Sequence, residues 1–221
     1  MSKINGNHIA EKETPELIYV YDALCGWCYG FSPVITRLKE EFNEKIDFLV
    51  LSGGMVRGEN AGPIGQIAGY IKQAYKTVED ATGVKFGQKF LDEVLEKGDA
   101  IFTSLPPALA LAVFRLEQPG EAIEFAARLQ KAIYYDGRLV DDKTLYSQIA
   151  SGFDVDGDEL VRRMDTDEIA QMVENEFKMV AGMGVNGYPT LVMRNGKELK
   201  ILTRGYQPYE QVEALIRQHI D

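Results

Sequence analysis

Two thiol sulfurs sit three residues apart in Cys25-Gly26-Trp27-Cys28, and they belong to the only cysteines in the 221-residue chain. No third thiol can pair with either, so an intramolecular disulfide must be the short Cys25–Cys28 bridge. A bridge closing so small a loop removes little unfolded-state entropy, which makes stapling a poor reason for it and reversible redox chemistry a better one. A zinc site would need two further Cys or His ligands. The chain offers only His8 and His219, one near each terminus. Two inert core cysteines would account for neither the spacing nor the place in the chain.

That place is a strand-to-helix junction. Leu17-Ile18-Tyr19-Val20-Tyr21 is a β-rich run that reads as a buried strand. After the cysteines, Val34, Ile35, Leu38 and Phe42 recur at helical spacing, which predicts a helix to about Phe42. Cys25 then falls at or just before the first helical turn, where unpaired N–H groups and the positive end of the helix dipole favour a thiolate. Cys28 lies one turn deeper and more shielded. Cys25 is therefore expected to attack and Cys28 to resolve.

The remaining elements frame this junction. Lys45–Leu51 reads as a second strand, parallel to the first because a helix intervenes, and Ser52-Gly53-Gly54 ends it. No Gly-Lys-Ser/Thr follows the glycine pair, so it reads as a tight turn and not a phosphate loop. Residues 62–183 lose the strand signal and show successive amphipathic stretches: 64–77, 87–96, 107–117, 121–135, 143–150, 158–164 and 166–182. Asp154-Val155-Asp156-Gly157 has its glycine in the wrong place for a calcium loop and reads as a turn into a helix cap. Tyr134 and Tyr135 read as core. Strands return at 190–193 and 199–203 around the hairpin turn Asn195-Gly196, and a helix over 208–220 closes the chain.

The composition narrows the classes of function. Net charge is −10, which repels phosphates and argues against nucleic acid as a partner. No apolar run approaches the roughly 20 residues of a membrane span. Met1–Glu16 is polar and lacks a basic end followed by an apolar stretch, so it does not read as a secretory signal, and a cytoplasmic location is expected.

The order β, CxxC, α, β, helical stretch, α, Tyr188-Pro189-Thr190, β-hairpin, α resembles the thioredoxin superfamily, specifically the DsbA-like family with its helical insertion. Asp22-x-x-Cys25-Gly26-Trp27-Cys28-Tyr29 and Gly187-Tyr188-Pro189-Thr190 are similar to the FrnE-type branch, which borders the 2-hydroxychromene-2-carboxylate isomerases and kappa-class glutathione transferases. The resemblance implies an α/β thioredoxin-like domain over 16–61 and 184–221, with an inserted helical subdomain over 62–183. It implies a cis Pro189 packed beside the cysteines, with Tyr188 offering its backbone to an extended substrate. It further implies a protein-disulfide oxidoreductase or isomerase whose catalytic residues are Cys25 and Cys28 and whose substrate-binding residues are Trp27, Tyr188 and Pro189. Its partners would be protein or peptide disulfides and thiols, with an unidentified electron donor or acceptor. No resident cofactor is expected.

Two departures from the pattern bear on redox poise. Gly26-Trp27 places no positive charge between the cysteines, and Tyr19 stands six residues before Cys25, where thioredoxins and DsbA carry a buried acid. The nearer acid is Asp22, whose charge disfavours a thiolate at Cys25. A less stabilised thiolate makes a less oxidising disulfide, compatible with reductase or isomerase work. Trp27, Tyr29, Phe31 and Tyr188 are candidate members of an aromatic platform, with Phe31 read as core. The alternative on the same fold is a glutathione-dependent transferase or isomerase of small molecules, with glutathione as thiol co-substrate and Arg57 or Arg204 as the candidate partner of its carboxylate.

Overall fold

The computed structural model describes residues 14–220. Most of the polar segment read as lacking a secretory signal, and His8 with it, lies outside the described residues. The first strand, β1 (Glu16–Tyr21), is buried on both faces. Leu17, Tyr19 and Tyr21 join the main apolar cluster on one face, while Ile18 and Val20 meet Leu51, Val180 and Val192 on the other. This two-residue period explains why the run is hydrophobic throughout: a strand covered on both sides has no solvent face to keep polar.

α1 (Gly26–Phe42) follows, and its return to the sheet places β2 (Asp47–Ser52) parallel to β1, with Tyr21 opposite Ser52. The late hairpin β5 (Thr190–Asn195) and β6 (Glu198–Arg204) completes a four-stranded sheet in the order β2-β1-β5-β6, with β5 antiparallel to β1. Asn195-Gly196 makes the turn, and Gly196 has a φ of 57°. α8 (Tyr209–Ile220) packs against α1 and β6.

Between β2 and β5 run α2 (Ala68–Thr82), α3 (Leu105–Glu117), α4 (Ala122–Tyr134), α5 (Lys143–Ser151), α6 (Gly157–Met164) and α7 (Asp167–Gly182). α4 packs on α1, and α7 reaches β2. The Asp156 carboxylate accepts from the N–H groups of Asp158 and Glu159 and so caps α6, which is the turn-and-cap role its sequence implied. Pro106 and Pro107 stand in the first turn of α3, where a missing N–H costs nothing.

Three local features differ from the sequence expectation. The stretch 87–96 contains a π-helical segment, Phe90–Leu95, in place of an ordinary helix. Residues 62–183 do contain strands: β3 (Gly62–Pro63) pairs with β4 (Ile101–Phe102). Two-residue strands have no periodicity to read, so nothing in the sequence marks them. The helix expected over 64–77 instead starts with a 3₁₀ turn at Ile64–Gln66, and α2 proper runs on to Thr82, where Gly83 at φ 79° ends it.

Candidate active site

Cys25 is the N-cap of α1, with extended backbone angles (φ −92°, ψ 112°). Its thiol can donate to the Tyr188 carbonyl at 3.5 Å. Cys28 lies one helical turn further in and is fully buried, whereas Cys25 keeps 7% of its surface. Both are free thiols. Burial, followed by the hydrogen bond and charge of Cys25, pushes the Cys28 thiol well above the ordinary cysteine range. One sulfur meets the cleft and the other stands behind it. The Tyr188–Pro189 peptide bond is cis.

The turn carrying Cys25 is tied down by polar contacts from distant parts of the chain. The buried Asp22 carboxylate accepts from the Leu24 N–H (2.9 Å), the Met55 N–H (2.7 Å) and the Ser104 hydroxyl (2.9 Å). Ser104 precedes α3, yet its hydroxyl does not cap that helix; it is committed to Asp22 and accepts from the Val56 N–H at 2.9 Å. The Gln130 side-chain amide, buried on α4, donates to the Asp22 and Cys25 carbonyls at 3.2 and 3.4 Å. Burial pushes the Asp22 carboxyl up, against the lowering effect of its N–H and hydroxyl donors. The sequence singled out Asp22 for its charge. The geometry adds a second role, since its side chain joins the β1–α1 turn, the segment after β2 and the start of α3.

Tyr188 is fixed from the other side. Its hydroxyl donates to the Gly53 carbonyl at 2.9 Å, and its ring lies so close to Gly53 that a Cβ there would sit 2.0 Å from a ring carbon. Burial first, then the charges of Asp22 and the two cysteines, push the Tyr188 phenol up to about 12, so it remains a neutral donor. The glycine pair read as a tight turn is thus also the seat of the Tyr188 ring, and Gly54 at φ 68° completes the turn.

A cleft of about 370 Å³ opens over Cys25. Leu24, Gly26 and Trp27 line it from the cysteine turn, Asn186, Gly187 and Tyr188 from the loop before β5, and Ile71, Tyr75 and Val78 from α2. Phe86 and Tyr134 close its inner end, and Met55, Ile67 and the 70%-exposed Tyr70 stand at its rim. None of these side chains carries a charge. Trp27 and Tyr188 both line the cleft. Phe31 is core, as read. Tyr29 is not part of this wall: its hydroxyl donates to the Lys85 carbonyl at 2.8 Å and its ring stacks on Tyr134. The α2 aromatics escaped the sequence reading because an amphipathic helix shows which face is apolar but not what that face borders. Tyr134, read as core, is both buried and a cleft wall.

Arg57 lies beside the cleft, its guanidinium 3.3 Å from Glu174 and 4.9 Å above the Phe177 ring. Arg204 ends β6, opposite Thr190. Neither lines the cleft. Among the described residues no group of three or more His, Cys, Asp or Glu side chains is arranged to hold a metal ion.

A family model described as thioredoxin matches residues 19–214. The chain belongs to that family. Among solved structures it is similar to a candidate protein disulfide isomerase of Nitrosomonas europaea (TM-score 0.81, 24% identity, 93% of this chain and 97% of that one). It is also similar to the cytosolic disulfide reductase DsbM of Pseudomonas aeruginosa (TM-score 0.77, 25% identity, 92% and 98%). A curated relative, the ClpXP adapter protein SpxH of Halalkalibacterium halodurans, is 23% identical over 209 residues, which are 90% of this chain; the chain spans 66% of that relative's length. The architecture is therefore the DsbA-like thioredoxin fold, a central sheet with a large helical insertion between β2 and β5. No helix among the described residues is long and apolar enough to cross a membrane.

Proposed function

We propose that this protein is a thiol-disulfide oxidoreductase that works through Cys25 and Cys28 on the disulfides of proteins or peptides. The observation carrying this reading is the placement of the two sulfurs: Cys25 at the tip of α1 on the cleft, Cys28 buried one turn behind, and the Tyr188 carbonyl 3.5 Å from the Cys25 sulfur. In the reducing direction the Cys25 thiolate attacks a substrate disulfide, forming a Cys25–substrate mixed disulfide and releasing one substrate thiolate. Cys28 then attacks the Cys25 sulfur. The Cys25–Cys28 disulfide forms, the second substrate sulfur leaves, and the proton of Cys28 ends on that leaving thiolate. Two electrons pass from the protein to the substrate. Two further thiol groups must then reduce Cys25–Cys28 and leave joined as a disulfide, and we assign two glutathione molecules or one protein dithiol to this step.

Reduction or isomerisation is favoured over oxidation. The segment between the cysteines carries no positive charge, and DsbM, an adjacent structural neighbour, is described as a cytosolic disulfide reductase. Trp27, Tyr188 and Pro189 are the proposed substrate-contacting residues, with the uncharged cleft receiving apolar side chains that flank the disulfide. A glutathione transferase role is less well supported, because a transferase has no use for a buried resolving thiol at Cys28. The test is reduction of insulin by the protein with dithiothreitol or glutathione as reductant. Turnover that disappears in Cys25→Ser, and stalls as a trapped mixed disulfide in Cys28→Ser, is expected. Conjugation of chlorodinitrobenzene to glutathione without insulin reduction would overturn the reading.

A further inference from the structure

The turn between β6 and α8 does not line the cleft, yet it touches both segments that flank Cys25. The Gly205 N–H donates to the Pro189 carbonyl at 2.7 Å, next to the cis Tyr188–Pro189 bond. Gly205 has a φ of 79°, a conformation that suits glycine, and it turns the chain off the end of β6. The following residue, Tyr206, then meets α1. Its ring centroid lies 6.1 Å from that of Trp27, with the planes tilted by 35°, and 6.3 Å from that of Phe31, edge-on at 87°. Both separations fall within the range of aromatic pairing, roughly 4.5–7 Å. Trp27 and Phe31 stand at i and i+4 and so share one face of α1. Phe31 is wholly buried, whereas Trp27 is only partly so. One ring is thus seated on the core at Phe31 and reaches out to the indole beside Cys25.

We infer that Tyr206 is a positioning residue for Trp27, fixing the indole at the mouth of the cleft and thereby setting affinity for disulfide substrates. This rests on the oxidoreductase reading and deepens it. Trp27 sits in the first turn of α1 and lines the cleft, where a bulky side chain free to rotate would have to be ordered each time a substrate bound. Ordering one such side chain beforehand is worth roughly two- to tenfold in affinity. The Gly205 hydrogen bond gives the arrangement a second consequence. Contacts run from the Pro189 carbonyl through Gly205 and Tyr206 to Trp27, so the spacing between Trp27 and the Tyr188–Pro189 loop is held from outside the cleft. The Trp27 and Phe31 contacts are made by the Tyr206 ring and the Pro189 contact by backbone, so the role belongs to the ring and not to the hydroxyl.

Trp27 is the only tryptophan in the chain, which makes its fluorescence a direct reporter. In the reduced protein, Tyr206→Ala is expected to shift Trp27 emission to the red and to speed its quenching by acrylamide. KM for insulin should rise about fivefold with little change in kcat. Alkylation of Cys25 by iodoacetamide should keep its parental rate, since Tyr206 touches neither sulfur. Tyr206→Phe, which retains the ring, should restore both fluorescence and KM. In a Trp27→Leu background, Tyr206→Ala should add no further rise in KM, because its effect passes through the indole. Parental fluorescence and KM in Tyr206→Ala would overturn the assignment. So would equal defects in Tyr206→Ala and Tyr206→Phe, or a full additional rise in KM in the Trp27→Leu background. If Tyr206→Ala does not fold, Tyr206→Leu, which keeps apolar bulk without the ring, decides by the same measurements. Failure of the parental protein to reduce insulin, with the emission of Tyr206→Ala shifted, would sink the oxidoreductase reading and leave the Tyr206–Trp27 contact standing.

Discussion

A single methyl group at Gly53 should disable the cleft without touching either sulfur. In Gly53→Ala the new Cβ would lie 2.0 Å from one Tyr188 ring carbon, 2.2 Å from the next and 2.4 Å from the hydroxyl oxygen. Ordinary carbon contacts begin near ~3.5 Å, so the ring must retreat by about 1.5 Å, the difference between 3.5 and 2.0. Retreat breaks the 2.9 Å hydrogen bond from the Tyr188 hydroxyl to the Gly53 carbonyl, a loss of about 1 kcal/mol. Overpacking adds about 1–3 kcal/mol, for a total of roughly 2–4 kcal/mol in unfolding free energy. The same movement shifts the Tyr188 backbone, whose carbonyl faces Cys25. A misplacement of about 1 Å costs on the order of 100-fold in rate, so insulin reduction should fall by about that factor. The assays are urea denaturation and insulin turbidity. A double variant, Gly53→Ala with Tyr188→Leu, should recover part of the lost stability, because the clash and its partner are removed together. Gly53→Ala with parental stability and turnover would refute the reasoning, since the ring would then have moved at no cost.

Other expectations follow from the same geometry. Gln130→Leu leaves the Asp22 and Cys25 carbonyls without their buried amide donor, so unfolding free energy should drop by about 1–3 kcal/mol in urea titrations and alkylation of Cys25 should change rate. Glu176→Ala removes the carboxylate partner of the largely buried Arg115 guanidinium, which keeps only its hydrogen bond to the Val50 carbonyl, and frees the Ser52 N–H, which Glu176 accepts at 2.6 Å; a loss of about 3 kcal/mol is expected by calorimetry. The Asp22 carboxyl is raised on folding, so its contribution to stability is fully present below the unfolded carboxylate range, near ~3.9, and is lost as pH rises through the folded value. Asp22→Asn removes that dependence. Denaturation between pH 4 and 7 should show the variant gaining on the parent as pH rises, and a parallel pair of curves would contradict the raised carboxyl.

The legible part of the fold was the part written in local patterns. β1 reads as a strand because all six of its residues are covered, and α1 reads as a helix because its buried positions Ile35, Leu38 and Phe42 recur at helical intervals. Cys25 as the helix cap and Cys28 as the shielded partner follow from those two elements and a spacing of three residues. What stayed hidden depends on contacts across long stretches of chain. Ser104 stands just before α3, yet its hydroxyl serves Asp22, 82 residues away in sequence. Gln130 occupies an amphipathic helix whose period says nothing about a carbonyl 105 residues earlier. Gly53 reads as a turn, and only the approach of Tyr188 shows why a side chain is excluded there. Tyr29 sits beside the cysteines in sequence, yet one helical position turns it away from the cleft toward Lys85 and Tyr134.

The wall of α2 over Cys25 takes no part in the ties at Asp22 and Gln130. Under the proposed function, substrate choice and electron chemistry fall to different stretches of chain. Exchanging Ile71, Tyr75 or Tyr70 for smaller or charged residues should redirect the enzyme toward other disulfides while its electron chemistry stays as it is. A lineage could retarget such a protein by drift along one helix, with no intermediate that has lost its catalytic pair.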